Sequence, residues 1–137
     1  MSAKVIYYLL FALLMVSASD ATGDNKVDQN KEPSIPKNKK QLKGILTNNT
    51  KVVVMFHENK AKPCIRIMPM FEGFRTDEKF SGIKFLKLDV DKLDNLEDFD
   101  VQTIPTFRFY VHGKKTGEVV GANAGALKNK MEEFLKK

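Results

Sequence analysis

Val52-Val53-Val54-Met55-Phe56 is an unbroken run of five apolar residues, three of them β-branched, set between Lys51 and His57. Branching at Cβ suits a pleated surface, and a run without alternation suits a strand covered on both faces, so this segment predicts the central strand of a sheet. Such a strand needs amphipathic elements on either side of it. Downstream, Cys64, Ile67, Met68 and Phe71 fall at i, i+3, i+4 and i+7, the apolar stripe of a helix headed by Cys64, with a kink expected at its interior Pro69. Ile83 to Val90 predicts a second strand, and the helix between the two makes a right-handed parallel crossover the natural connection. Leu93, Leu96 and Phe99 mark a short acidic helix. Thr106 to Val111 alternates as a half-buried strand, His112-Gly113-Lys114-Lys115 supplies turn chemistry, and Glu118 to Gly121 returns as a hairpin partner. A helix over Ala124 to Leu135 carries Leu127, Met131 and Leu135 at steps of four. Another over Ile35 to Leu46 sets Leu42, Ile45 and Leu46 against Lys39, Lys40 and Lys43, which read as a solvated face. The order describes an α/β fold with a central mixed parallel and antiparallel sheet flanked by helices on both faces.

The chain start has a different character. Met1 to Lys4 is basic, Val5 to Val16 is twelve apolar residues, and Ser17-Ala18-Ser19 is small. Twelve apolar residues are too few to span a bilayer and suit the core of a secretory signal peptide, so residues 1–19 are expected to be a signal peptide, leaving no stable membrane span after cleavage. Residues 20–38 read as a flexible polar tail, with Val27 and Ile35 as the only sizeable apolar residues and with Pro33 and Pro36 extending its end. Residues 39–137 form the expected domain. Entry into the secretory pathway makes the chain secreted or lumenal, and Asn48-Asn49-Thr50, in an expected polar loop, then becomes a glycosylation triplet with Asn48 as acceptor.

Composition excludes several functions. The one cysteine of the 137 residues, Cys64, cannot close an intrachain disulfide or supply a multi-thiolate zinc site. The net charge of +6 is too small by itself to indicate nucleic acid. His57 and His112, the only histidines, end different strands with no organised carboxylate partners, so no metal is expected. The acidic stretch Asp89, Asp91, Asp94, Glu97, Asp98 and Asp100 lacks the central glycine of a calcium loop and reads as a solvated face. No glycine-rich phosphate loop or nucleophilic triad is present, and no cofactor is expected.

Five segments, in order and spacing, resemble the thioredoxin family: Val52 to Phe56, Ala61-Lys62-Pro63-Cys64 with Pro69, Phe85 to Asp91, Ile104-Pro105-Thr106-Phe107, and Gly117 to Asn123. The resemblance implies a thioredoxin fold, a cis peptide bond before Pro105, and a shallow groove in which Ile104, Pro105, Gly121 and Ala122 hold an extended peptide beside Ala61, Lys62 and Pro63. Departures from the family pattern are as informative. Thioredoxins begin this helix with Trp-Cys-Gly-Pro-Cys, whereas this chain has Lys60-Ala61-Lys62-Pro63-Cys64, so the attacking cysteine is Ala61 and only the resolving one remains. The family's buried aspartate is Met55, and its flanking tryptophans are His57 and Lys60. Dithiol exchange needs one thiolate to attack and a second thiol to release product, so autonomous turnover is not expected. Two roles remain. One is a redox-degenerate binder of peptides or partner proteins, an accessory or chaperone-like subunit with a basic rim of Lys60, Lys62 and Arg66. The alternative is a thiol-disulfide exchanger working through Cys64 with an external thiol, by way of a mixed disulfide. Helix-end charge effects of about 0.3–1 kcal/mol favour a Cys64 thiolate, but burial can shift an ionisable group by up to about 3–5 pKa units, so a packed Cys64 is expected to be an inert apolar residue.

Overall fold

The computed structural model describes residues 35–137; the signal peptide and most of the tail expected from the sequence lie outside them. Helix α1 (Lys39–Asn48) precedes strand β1 (Lys51–His57), helix α2 (Lys62–Thr76), strands β2 (Lys84–Asp89), β3 (Thr106–Val111) and β4 (Lys114–Val120), and helix α3 (Ala124–Leu135). The sheet order is β2-β1-β3-β4, with β1 parallel to β2, antiparallel to β3, and β3 antiparallel to β4. Every side chain from Val52 to Phe56 is fully buried, as the unbroken apolar run requires. Val53 and Met55 pack with Phe107 and Phe109 against Cys64, Ile67 and Phe71 of α2 and Leu127, Met131 and Phe134 of α3. Val52, Val54 and Phe56 pack on the other side with Leu86, Leu88, Phe99 and Leu42 and Leu46 of α1. Each such side chain contributes about 1.5–3 kcal/mol by leaving water, so β1 is stabilised from two independent apolar layers.

Local chemistry moves several boundaries. Helix α1 starts at Lys39, not Ile35, because Asn38 takes the N-cap and its Oδ1 accepts from the Gln41 N–H at 2.9 Å, while Gln41 Oε1 accepts from the Lys37 N–H at 2.8 Å. Ahead of the helix, Pro36 is buried and the Lys37 carbonyl accepts from the Asp94 N–H, so packed structure begins before residue 39. Asn48 lies exposed on the last turn of α1 and not in a loop. The short acidic helix expected from Leu93, Leu96 and Phe99 is a 3₁₀ turn at Leu96–Phe99, preceded by another at Val90–Lys92. Asp89 and Asn95 each accept from the backbone N–H two residues on, local bonds that compete with an α-helical ladder. Strand β4 begins four residues earlier than its expected start at Glu118: His112 and Gly113 both hold positive φ, a two-residue hairpin turn that pairs Lys114 directly with Val111. Its outward Lys-Lys-Thr stretch shows no apolar alternation because β4 is an edge strand.

Arg108 ties the sheet to the 3₁₀ segment. Its guanidinium donates to the Phe99 carbonyl, to the Asp100 carbonyl at 2.7 Å and to Glu118 at 3.2 Å, and it lies 5.2 Å from the Phe56 ring centre. With only 11% of the side chain exposed, these bonds are poorly replaced by water. Arg108→Met is expected to lower unfolding free energy by about 2–3 kcal/mol in urea titration with an unchanged slope. Arg108→Lys should recover only part of this, because an ammonium cannot fork between the two carbonyls.

Candidate functional site

The candidate site forms where β1 and β4 end and β3 begins, and these ends are brought together by the pairs Phe56–Thr106 and Thr106–Val120. The chain leaves β1 at His57 and crosses Glu58 to Lys60, then enters α2 with Ala61 as N-cap and Pro63 in the first turn, where its missing N–H removes no helical bond. Ala61 has the extended backbone of a cap (φ −74°, ψ 119°) but no side-chain oxygen to satisfy the first amides. On the facing segment the Ile104–Pro105 peptide is cis, and Pro105 is buried. Thr106 Oγ1 donates to the Thr103 carbonyl at 2.5 Å, and the Pro105 carbonyl accepts from the Gly121 N–H at 2.7 Å. Gly121 has φ +87° with open space where a Cβ would stand, so backbone conformation and not crowding calls for glycine there. Neither peptide group of Ile104 bonds to a described residue, which leaves an N–H and a carbonyl of strand-like use at the edge of the site.

Ala61, Ile104 and Ala122 are partly buried against the apolar cluster that contains Cys64. Lys60, Lys62, Pro63 and Arg66 are exposed at the mouth. Cys64 itself is 1% exposed. Ala61, at the N-cap of α2, is partly buried and carries no sulfur, and the thiol of Cys64, three residues on, is shut in the core. Met55 is fully buried in the same cluster, and the buried polar residues among those described are His57 and Thr106, so no buried carboxylate stands ready to take a proton from Cys64.

His57 carries an unusual load for the end of a central strand. It is 7% exposed, and its Nδ1 has no hydrogen-bond partner among the described residues. Burial holds its pKa below the ordinary 6.5; the Asp89 carboxylate opposes this, and Lys87 and Lys92 add to it. The imidazole borders a cavity of about 300 Å³ together with Pro36, Asn59, Asp89 and Leu93. In the sequence His57 reads as a substituted aromatic and as one of two strand-end histidines; its burial is signalled by its direct continuation of the apolar run. The seven-residue β1 separates His57 from the hairpin that holds His112, by roughly 20 Å at strand rise, so the two histidines do not meet. Among the described residues no cluster of histidine, cysteine and carboxylates has the arrangement of a metal site.

A thioredoxin family model matches residues 33–135. Thioredoxin of Ictalurus punctatus is 39% identical over 83 residues, which are 60% of this chain and 78% of that protein. Thioredoxin of Mycoplasmoides gallisepticum is 35% identical over 100 residues, 72% of this chain and 95% of that one. Among solved structures, Plasmodium falciparum thioredoxin superposes with a TM-score of 0.65 at 30% identity, covering 73% of this chain and 97% of its own. Thioredoxin from Trypanosoma brucei brucei gives 0.67 at 28% identity, covering 80% and 97%. A cis-proline shelf opposite the start of a helix on a β2-β1-β3-β4 sheet is the architecture of a thiol-disulfide exchange fold. This chain belongs to the thioredoxin family.

Two outcomes follow from the site geometry. Ala61→Ser places a hydroxyl on the uncapped start of α2 and is expected to raise unfolding free energy by about 1 kcal/mol, read from the urea midpoint. The depressed pKa of His57 means that the unfolded chain binds its proton first as pH falls. Stability is therefore present above pH 6.5 and is lost as pH drops from there through the lower folded value. Glu72, held down chiefly by its hydrogen bond from Lys87, and Glu118, held down chiefly by Lys115, begin their own loss only below about 4.5. His57→Leu should remove the decline that sets in below pH 6.5 in a series of urea titrations and leave the acid limb in place.

Proposed function

We propose that this chain is a redox-degenerate thioredoxin of the secretory pathway, which binds extended segments of partner proteins on its cis-proline shelf and does not turn over disulfides. The observation that carries this reading is the pairing of a sulfur-free Ala61, in the place the thioredoxin pattern gives to the attacking cysteine, with a Cys64 that is 1% exposed. The free peptide groups of Ile104, the Gly121 turn and the low apolar rim of Ala61 and Ala122 supply what a strand-like guest needs, namely a donor, an acceptor and room. The protein then acts by holding a partner, as an accessory or chaperone-like subunit. Passage through that compartment makes the exposed Asn48 an acceptor for an N-linked glycan.

Reduction of a model protein disulfide tests the reading directly. The unaltered chain is expected to give no turnover, and Ala61→Cys, which rebuilds the cysteine pair, is expected to restore it. Turnover by the unaltered chain that disappears in Cys64→Ala would establish the competing role, exchange through Cys64 with an external thiol. A thiol-specific mass tag should label Cys64 slowly in buffer and completely in urea.

A further inference from the structure

The outer face of α2 carries a feature that peptide holding on the cis-proline shelf does not use. Ile65, in the second turn, is 57% exposed. It lines a groove with Met68 and Pro69, bordered by Glu58 at one end and Glu72 at the other. A large aliphatic side chain left this open beside two further apolar residues is a site that gains by being covered. Pro69 has no N–H to give the Ile65 carbonyl four residues back, so an acceptor is left without its helical partner at the same place.

Charge decides what fits. Lys62, three residues before Ile65, shares its side of the helix, Arg66 follows Ile65 about a quarter-turn round the helix, and Lys60 lies just ahead of the first turn; all three are exposed, and none of them lines the groove itself. None of these three cations has an ion-pair partner among the described residues. Of the two carboxylates at the groove, Glu72 is already engaged by Lys87 at 2.6 Å and Arg75 at 2.7 Å, which leaves Glu58 alone against three cations. The field over the apolar strip is therefore positive. We propose that this groove docks an acidic segment of a partner protein, with one bulky apolar side chain of that segment seated on Ile65, Met68 and Pro69 and its carboxylates facing Lys60, Lys62 and Arg66. The proposal deepens the partner-holding reading by naming the chemistry of the guest, and it places that contact beside the cis-proline shelf, not on it.

A fluorescein-labelled twelve-residue peptide of Asp, Ser and Gly with one central Leu, followed by anisotropy against the purified protein, tests it. Saturable binding is expected, weakened roughly tenfold or more when the peptide Leu becomes Ser or when the protein carries Ile65→Ser, since either change removes a buried aliphatic contact. Ile65 is exposed, so its variant keeps the core intact. Lys62→Glu combined with Arg66→Glu should shift the preference to a Lys-for-Asp version of the peptide. Ala122→Leu obstructs the cis-proline shelf without adding charge and should leave this binding unchanged, so failure of the shelf reading and failure of the groove are told apart. Equal binding of the Leu and Ser peptides would mean attraction to any polyanion and would overturn the proposal. So would an unaffected Ile65→Ser variant, loss of binding in Ala122→Leu alone, or no saturable binding.

Discussion

Burial of β1 on both faces is the constraint on which the rest of the structure depends. Five consecutive side chains with no solvent exposure force one apolar layer above the strand and another below it, and α1, α2 and α3 are the elements that provide them. The hydrogen-bonding capacity of the strand is met on both edges, by β2 in parallel and β3 in antiparallel register. Because the apolar stripe of α2 must lie on Val53 and Met55, the first turn of that helix is delivered to the end of the sheet. The cis-proline segment arrives at the same end because it leads into β3. The site is thus a by-product of covering one strand.

The same packing explains why Cys64 is buried. Cys64 sits on the stripe with Ile67 and Phe71, and a residue there is committed to the core whatever its chemistry. Ala61 at the head of the same helix carries no sulfur, so among the described residues no thiol reaches the surface beside the cis-proline segment. The start of α2 sets positive charge without ion-pair partners among the described residues next to exposed apolar Ile65.

Legibility in the sequence varied with the range of the interaction. Strands β1 and β3 and helices α2 and α3 were readable because each declares itself within its own few residues, through an apolar run, alternation or a stripe. The short acidic helix marked by Leu93, Leu96 and Phe99 is a 3₁₀ turn confined to Leu96–Phe99, because Asp89 and Asn95 divert the backbone around it into tight turns. The early start of β4 was hidden by its edge position, where solvent removes the need for apolar alternation. Gly121 and Pro105 were named from family resemblance alone; nothing in their spacing tells that one carbonyl and one amide close the shelf between them.

By itself the sequence determined the fold class, the central strand, the helix that presents Ala61 and the lack of a second thiol, because these are properties of local pattern and of atoms present or absent. Only the tertiary structure decided that Cys64 is sealed and that, among the described residues, His57 is buried without a partner for Nδ1 and Ile65 stands open near cations that have no ion-pair partner. Burial and charge balance at a point are sums over side chains distant in the chain, from Lys37 to Phe134, and no single stretch of sequence contains them.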